Sequence, residues 1–195
     1  MKQQTWRLCM VGVLSAAAFL FMLLELPLPF LPPFLKLDFS EIPALLAAFA
    51  LGPLEGVAVC LVKNLLHLFV SQTSGVGELS NFLLGVCFVL PAGMIYRFKK
   101  TKAGAFFSSL IGCMSMAVLS LPLNYFLIYP IYYRLLAPES VILDLCRTIL
   151  PSIESIFTSL LVFNLPLTFG KGLIDVTAVI LVYKKLSPIL KGIRH

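Results

Sequence analysis

Lysine, asparagine and histidine inside long apolar runs are where this sequence could do chemistry. Lys63 and Asn64 lie in such a run with His67 one turn on, and Asn124, Asn164 and Lys171 are equally deep, with Asp175 one turn after Lys171. In lipid each polar group is costly and needs a partner, so it marks either an internal pairing or a site. Lys171 reads as an ion pair with Asp175 at i,i+4, or as a donor to a ligand's carbonyl or anionic edge. Lys63 and His67 read as a polar helix face packed on Glu55 or on the segment around Asp38, or as part of a site. Asn124 follows Pro122 by two residues, and Pro122 frees a backbone carbonyl. The amide either satisfies that carbonyl or reads a ligand's donors and acceptors. Enzyme chemistry has no comparable signature: the sequence carries no HExxH, P-loop, GxSxG or paired-aspartate metal motif. No catalytic residue, no metal site and no cofactor is expected.

The elements that must position these groups follow from composition. Of 195 residues, 59% are hydrophobic and 12% charged, and the mean hydropathy is +0.99. Soluble domains carry roughly 25% charged residues, whereas a chain solvated by lipid needs far fewer. The expected fold class is an all-α integral membrane protein. The net charge of +6 does not point to nucleic acid, because the cations cluster at segment ends instead of forming a stripe. Cys9, Cys60, Cys87, Cys113 and Cys146 lack CxxC or metal spacing and read as small buried hydrophobes.

Six helices are predicted, at about 5–26, 40–51, 53–70, 78–98, 103–129 and 152–183, forming a single transmembrane domain over 1–195. The first is too long for a usual signal-peptide core and lacks a small-residue cleavage site, so it is read as part of the mature protein. The four prolines of the 27–33 stretch exclude helix. Residues 71–77 and the more polar 134–147 read as loops. The run from 40 to 70 is either one helix or a hairpin broken at Gly52-Pro53, and charge decides. A hairpin places Lys2 and Arg7, the 97–102 cluster, and the Lys184, Lys185, Lys191 and Arg194 cluster on one side, ten of the 15 cations. That is the positive-inside pattern, with both termini cytoplasmic. The first arm is about 18 Å long at 1.5 Å per residue, short for a hydrocarbon core of about 30 Å, so neighbouring helices are expected to shield it.

On the outer side, Phe30, Phe34, Phe39, Tyr125, Tyr129, Tyr132 and Tyr133 gather near one level. An interfacial aromatic belt accounts for some; a flat aromatic ligand between rings would account for the others. In the first helix, Gly12 and Ala16 form a small-xxx-small pair that permits close approach of another helix or internal packing.

Four blocks carry a resemblance: Lys36-Leu-Asp-Phe-Ser-Glu-Ile-Pro43, Gly52-Pro-Leu-Glu-Gly56, Lys63-Asn-Leu-Leu-His67 and Gly77-Glu-Leu-Ser-Asn-Phe82. Together with Asn124-Tyr-Phe-Leu-Ile-Tyr-Pro130 they resemble the riboflavin-binding S components of energy-coupling factor (ECF) transporters, over essentially the whole chain. The resemblance implies a non-catalytic substrate-capture subunit in a bacterial plasma membrane. It would take riboflavin from outside and join a transmembrane coupling protein and two ATP-binding subunits. It implies ligand contacts at Leu35, Lys36, Leu37, Asp38, Phe39, Glu78, Asn81, Asn124 and Lys171, and puts Gly12 and Ala16 against the coupling protein. One departure stands in Pro166-Leu-Thr-Phe-Gly-Lys171-Gly172. The family often has Asn three residues before this lysine; here it is Thr168, which reaches less far than an amide, with Asn164 one turn earlier. Asn164 and Thr168 therefore join the expected ligand set. The rival readings are an S component for thiamin, pantothenate or another nutrient, a small integral-membrane enzyme, and a structural membrane subunit without ligand.

Overall fold

The computed structural model describes the backbone of residues 2–190 and the side chains of residues 3–183. Of the expected C-terminal basic cluster, Lys191 and Arg194 lie outside the described residues, as do the side chains of Lys184 and Lys185. The chain enters through α1 (Lys2–Leu23) and turns in a Pro-rich loop. The ends of that loop pair as two short antiparallel strands, β1 (Leu26–Pro27) and β2 (Lys36–Leu37), with Leu26 opposite Leu37. Then follow α2 (Glu41–Ala50), α3 (Pro53–His67), α4 (Val76–Tyr96) and α5 (Lys102–Leu123). A π turn over Asn124–Ile128 joins α5 to α6 (Tyr129–Leu135). After α7 (Glu139–Ile149), α8 (Ile156–Ser159) passes through a second π turn, Leu160–Asn164, into α9 (Leu165–Leu190).

Among the described residues, five helical stretches are long and apolar enough to cross a membrane: Gln3–Leu23, Pro53–Val70, Val76–Tyr96, Lys102–Leu135 and Ile156–Tyr183. Their outer faces are apolar and open, as with Leu8, Phe69, Phe126 and Leu181, the arrangement a lipid solvent permits. α2 is different. It spans ten residues, about 15 Å, and eight of them are buried among the other helices. The 40–70 run is indeed a hairpin: Gly52 adopts φ +145°, a backbone open to glycine, and Pro53 starts α3, where a missing N–H is tolerated. Arg7 pins this turn, bridging Glu55 at 2.7 Å and donating to the Leu51 carbonyl.

Two boundaries correct the sequence reading. The stretch 134–147, expected as loop, holds most of α7. Its charged residues mask an amphipathic repeat in which Ile142 and Cys146 are buried and Ile149 is half-buried. The helix expected to end near residue 129 runs on to Leu135, because Pro130 falls in the first turn of α6, where it does not break the ladder.

The interior has two apolar layers. One fills most of the bundle around Leu45, Phe49, Phe88, Val89 and Val179. The other caps one end, with Leu31, Cys146, Ile153 and Phe163 in one cluster and Tyr129, Ile142, Ile156 and Leu160 in another. The functional site lies between them.

Candidate functional site

Between these layers is a cavity of about 320 Å³, lined by the end of α1, the 34–41 segment, the α3–α4 connection, α5, α6, α7 and α9. It lies at the end of the bundle opposite the 97–102 loop. The size suits a small organic ligand. One wall is aromatic. Phe34 meets Tyr129 edge-on with centroids 6.4 Å apart, and Tyr132 at 6.1 Å; Ile128 and Ile142 extend this surface.

The opposite edge is polar. Lys171 Nζ donates to Asp38 Oδ2 at 2.7 Å, and Asn81 Nδ2 donates to the same oxygen at 3.2 Å. Asp38 Oδ1 accepts from the Ser40 backbone N–H at 2.9 Å and from the Ser40 hydroxyl. Burial by itself raises the Asp38 pKa, but the Lys171 and Lys63 ammonium groups, with hydrogen bonds from Lys171 and Ser40, outweigh it and hold the carboxyl below the usual carboxylate range. Behind this pair, fully buried Lys63 donates to Glu41 at 2.7 Å and to Ser40 at 2.5 Å. At the mouth, His67 Nδ1 lies 2.8 Å from Glu78, whose other oxygen accepts from Ser71 at 2.9 Å and Thr73 at 3.2 Å. Lys36 bridges Glu25 at 2.5 Å and donates to Gln72 at 2.9 Å.

Two breaks in helical register supply the remaining polar groups. Asn124 opens the first π turn and Asn164 closes the second, next to Pro122 and Pro166 respectively. A π turn inserts a residue into the helix and redirects the side chains beside it, and both asparagines line the cavity. Asn124 does local work as well: Nδ2 donates to the Ser120 carbonyl at 2.8 Å and Oδ1 accepts from Ser80 at 3.2 Å. Asn164 and Thr168 are buried at 6% and 7% exposure, and their side chains make no hydrogen bond among the described residues. Both line the cavity.

Of the residues expected to contact ligand, Leu35, Lys36, Asp38, Glu78, Asn81, Asn124, Asn164, Thr168 and Lys171 line one cavity. Leu37 does not; it borders a separate apolar cleft between the first loop and α9. Phe39 borders neither cleft, because side chains alternate along the extended 36–39 segment and this ring leaves the Asp38 side. One partner expectation is corrected: Lys171 takes Asp38 rather than Asp175. Of the two alternatives for Lys63, the segment around Asp38 supplies its partners, Ser40 and Glu41, while Glu55 takes Arg7. Gly12 and Ala16 face outward on α1, and a Cβ added at Gly12 would meet nothing within 4 Å. Sequence reasoning missed Glu25, Gln72, Ser80 and Ile142. The i, i+4, i+7 repeat of Ile142, Cys146 and Ile149 signalled the last; the others are single polar residues at helix ends and had no pattern to show.

Residues 7–183 match the family described as ECF transporter, substrate-specific component. The chain belongs to this family. It is 37% identical to the riboflavin transporter RibU of Staphylococcus aureus (strain TCH60) over 191 residues, covering 98% of this chain and 95% of that protein. It is 34% identical to the riboflavin transporter FmnP of Bacillus subtilis (strain 168) over 185 residues, 93% and 92% of the two chains. The solved S component of a bacterial ECF transporter superposes with a TM-score of 0.76 at 35% identity, over 97% of this chain and 99% of that one. This S component is thus a multi-pass membrane protein with the fold of a transporter's substrate-binding part.

Proposed function

We propose that this S component captures riboflavin from the outer face of a bacterial plasma membrane and delivers it inward with a transmembrane coupling protein and two ATP-binding subunits. One observation carries the reading: a cavity of about 320 Å³ with an aromatic wall on one side and, on the other, buried Asn164 and Thr168, which have no hydrogen-bond partner among the described residues. A flat ring system with a hydrogen-bonding edge matches both surfaces. The isoalloxazine packs on Phe34, Tyr129 and Tyr132, while Asn124, Asn164, Thr168 and Lys171 read its pyrimidine edge. Discrimination follows because a ligand lacking those donors and acceptors leaves buried groups unpaired. Glu78 is committed to His67, Ser71 and Thr73, so its part is to shape the mouth. The similarity to two riboflavin transporters supports the choice of vitamin.

The side assignment follows from charge. The cavity opens away from the 97–102 cluster and the first turns of α1, so the positive-inside rule turns it outward. The exposed Gly12 and Ala16 leave a smooth strip on α1 on which a helix of the coupling protein can lie closely. The subunit itself binds and carries out no reaction.

The test is the absorption spectrum of the protein as isolated, followed by titration of ligand-free protein with riboflavin. Bound flavin colour, or quenching of riboflavin fluorescence at micromolar protein, is expected. No quenching, together with thermal stabilisation by thiamin or pantothenate, would move the assignment to another vitamin.

A further inference from the structure

Beneath the cavity lies a buried ionic cluster whose charges do not balance. It holds two cations, Lys63 and Lys171, and three carboxylates, Asp38, Glu41 and Asp175. Each lysine is 2.7 Å from one carboxylate, Lys171 from Asp38 and Lys63 from Glu41. Asp175 is left over. It is 0% exposed, and neither carboxyl oxygen has a hydrogen-bond partner among the described residues. The ionisable groups facing it are Lys171 on its own helix, Asp38 and Glu41 from the first loop and α2, Lys63 from α3 and Cys113 from α5. With both lysines committed to other carboxylates, an ionised Asp175 that accepts no hydrogen bond is expensive at this depth, and a proton removes the expense.

The helix also gives Lys171 a choice. Side chains lean towards the N-terminus of an α-helix, so the Asp175 carboxyl tilts towards the turn that carries Lys171, four residues earlier. The long lysine stem now rises to Asp38. Asp175, at i,i+4 on the same helix, is the other carboxylate within the spacing that lets such side chains pair.

We propose that this cluster binds one proton, carried by Asp175 while Lys171 is seated on Asp38, and that Asp175 is the alternative seat for Lys171. When Lys171 changes seat, Asp175 gives up its proton as its carboxylate takes the ammonium group, and Asp38 accepts one proton as its salt bridge breaks. The cluster stays neutral in both arrangements, and no bond other than O–H is made or broken. Asp38 and Lys171 line the cavity and Asp175 does not, so the exchange would connect the occupied site to the interior of the bundle.

The test is infrared difference spectroscopy on ligand-free protein in detergent, so its outcome is independent of the riboflavin reading. Wild type is expected to show the carbonyl stretch of a protonated carboxyl at neutral pH, and Asp175→Asn to lose it with an unchanged thermal midpoint. Asp38→Asn is decisive. Charge balance then leaves Glu41 and Asp175 against two lysines, so Asp175 should ionise and the acid band should vanish although Asp175 is intact. If Asp38→Asn does not fold, Lys171→Met gives the converse: one cation against three carboxylates requires a second acid band. Identical acid-region spectra for wild type and Asp175→Asn would overturn the proposal. So would an acid band that survives Asp38→Asn, no added band in Lys171→Met, or a carboxylate signal that follows sodium concentration.

Discussion

Replacing Lys171 with Met tests the pair at the centre of the site. The two charged side chains are 13% and 8% exposed and lie 2.7 Å apart. Methionine keeps the apolar stem and removes the ammonium group, leaving Asp38 buried without its nearest counter-charge. Breaking a buried pair from one side costs about 3–5 kcal/mol. Asp38 retains hydrogen bonds from Asn81 and from both the backbone and hydroxyl of Ser40. The lower end applies, about 3 kcal/mol at pH 7. Equilibrium unfolding of the ligand-free protein in mixed detergent–SDS micelles measures it, with Asp38→Asn added to Lys171→Met as the control. The double variant should recover at least half of the loss, since it needs neither an unpaired buried carboxylate nor the second bound proton that Lys171→Met requires. A loss below about 1 kcal/mol, the range of a surface ion pair, would refute the picture of a desolvated bridge. So would a double variant as unstable as the single one.

Three further outcomes are expected. Asn164→Ala should leave ligand-free stability unchanged, because the side chain has no hydrogen-bond partner among the described residues, yet weaken riboflavin binding about 5- to 150-fold, as loss of a buried hydrogen bond of about 1–3 kcal/mol implies; fluorescence titration with thermal unfolding checks both halves. The Asp38 carboxyl is held below its unfolded value, so its contribution is fully present above about pH 4 and fades as pH falls towards the depressed native value. Acid unfolding curves should therefore show a loss of stability below about pH 4 that is smaller in Asp38→Asn. Gly12→Leu fills open space on α1, so isolated subunits should bind riboflavin as before while co-purification with the coupling protein and uptake by cells fall together.

Much of the site was legible because lipid penalises polar groups regardless of the details of packing. Lys63, Asn124, Asn164 and Lys171 stand out against apolar neighbours; the first three are buried and Lys171 is half-buried, all within the ionic cluster or along the cavity edge. Their partners were less legible. The i,i+4 spacing favoured Asp175 for Lys171, but the extended segment around Asp38, distant in sequence, brings a carboxylate with two other donors already in place. Likewise Glu55 is close in sequence to Lys63, yet α2 delivers Glu41 into the interior and Arg7 of α1 claims Glu55. Phe39 shows a finer limit: in extended chain, a shift of one residue changes the side that a ring faces. α7 escaped because three charges and a short length lowered its average hydropathy while its buried stripe stayed apolar.

By itself, the sequence determined the solvent, the helical class, the break at Gly52-Pro53 and the residues too polar to be idle, since these depend on transfer free energies and local backbone chemistry. Only the tertiary structure decided which carboxylate each lysine meets, that Asn164 and Thr168 are left facing a cavity, and that Asp175 has no hydrogen-bond partner among the described residues. Those outcomes depend on distances between segments far apart along the chain, and in a bundle whose helices present several faces, composition does not set such distances.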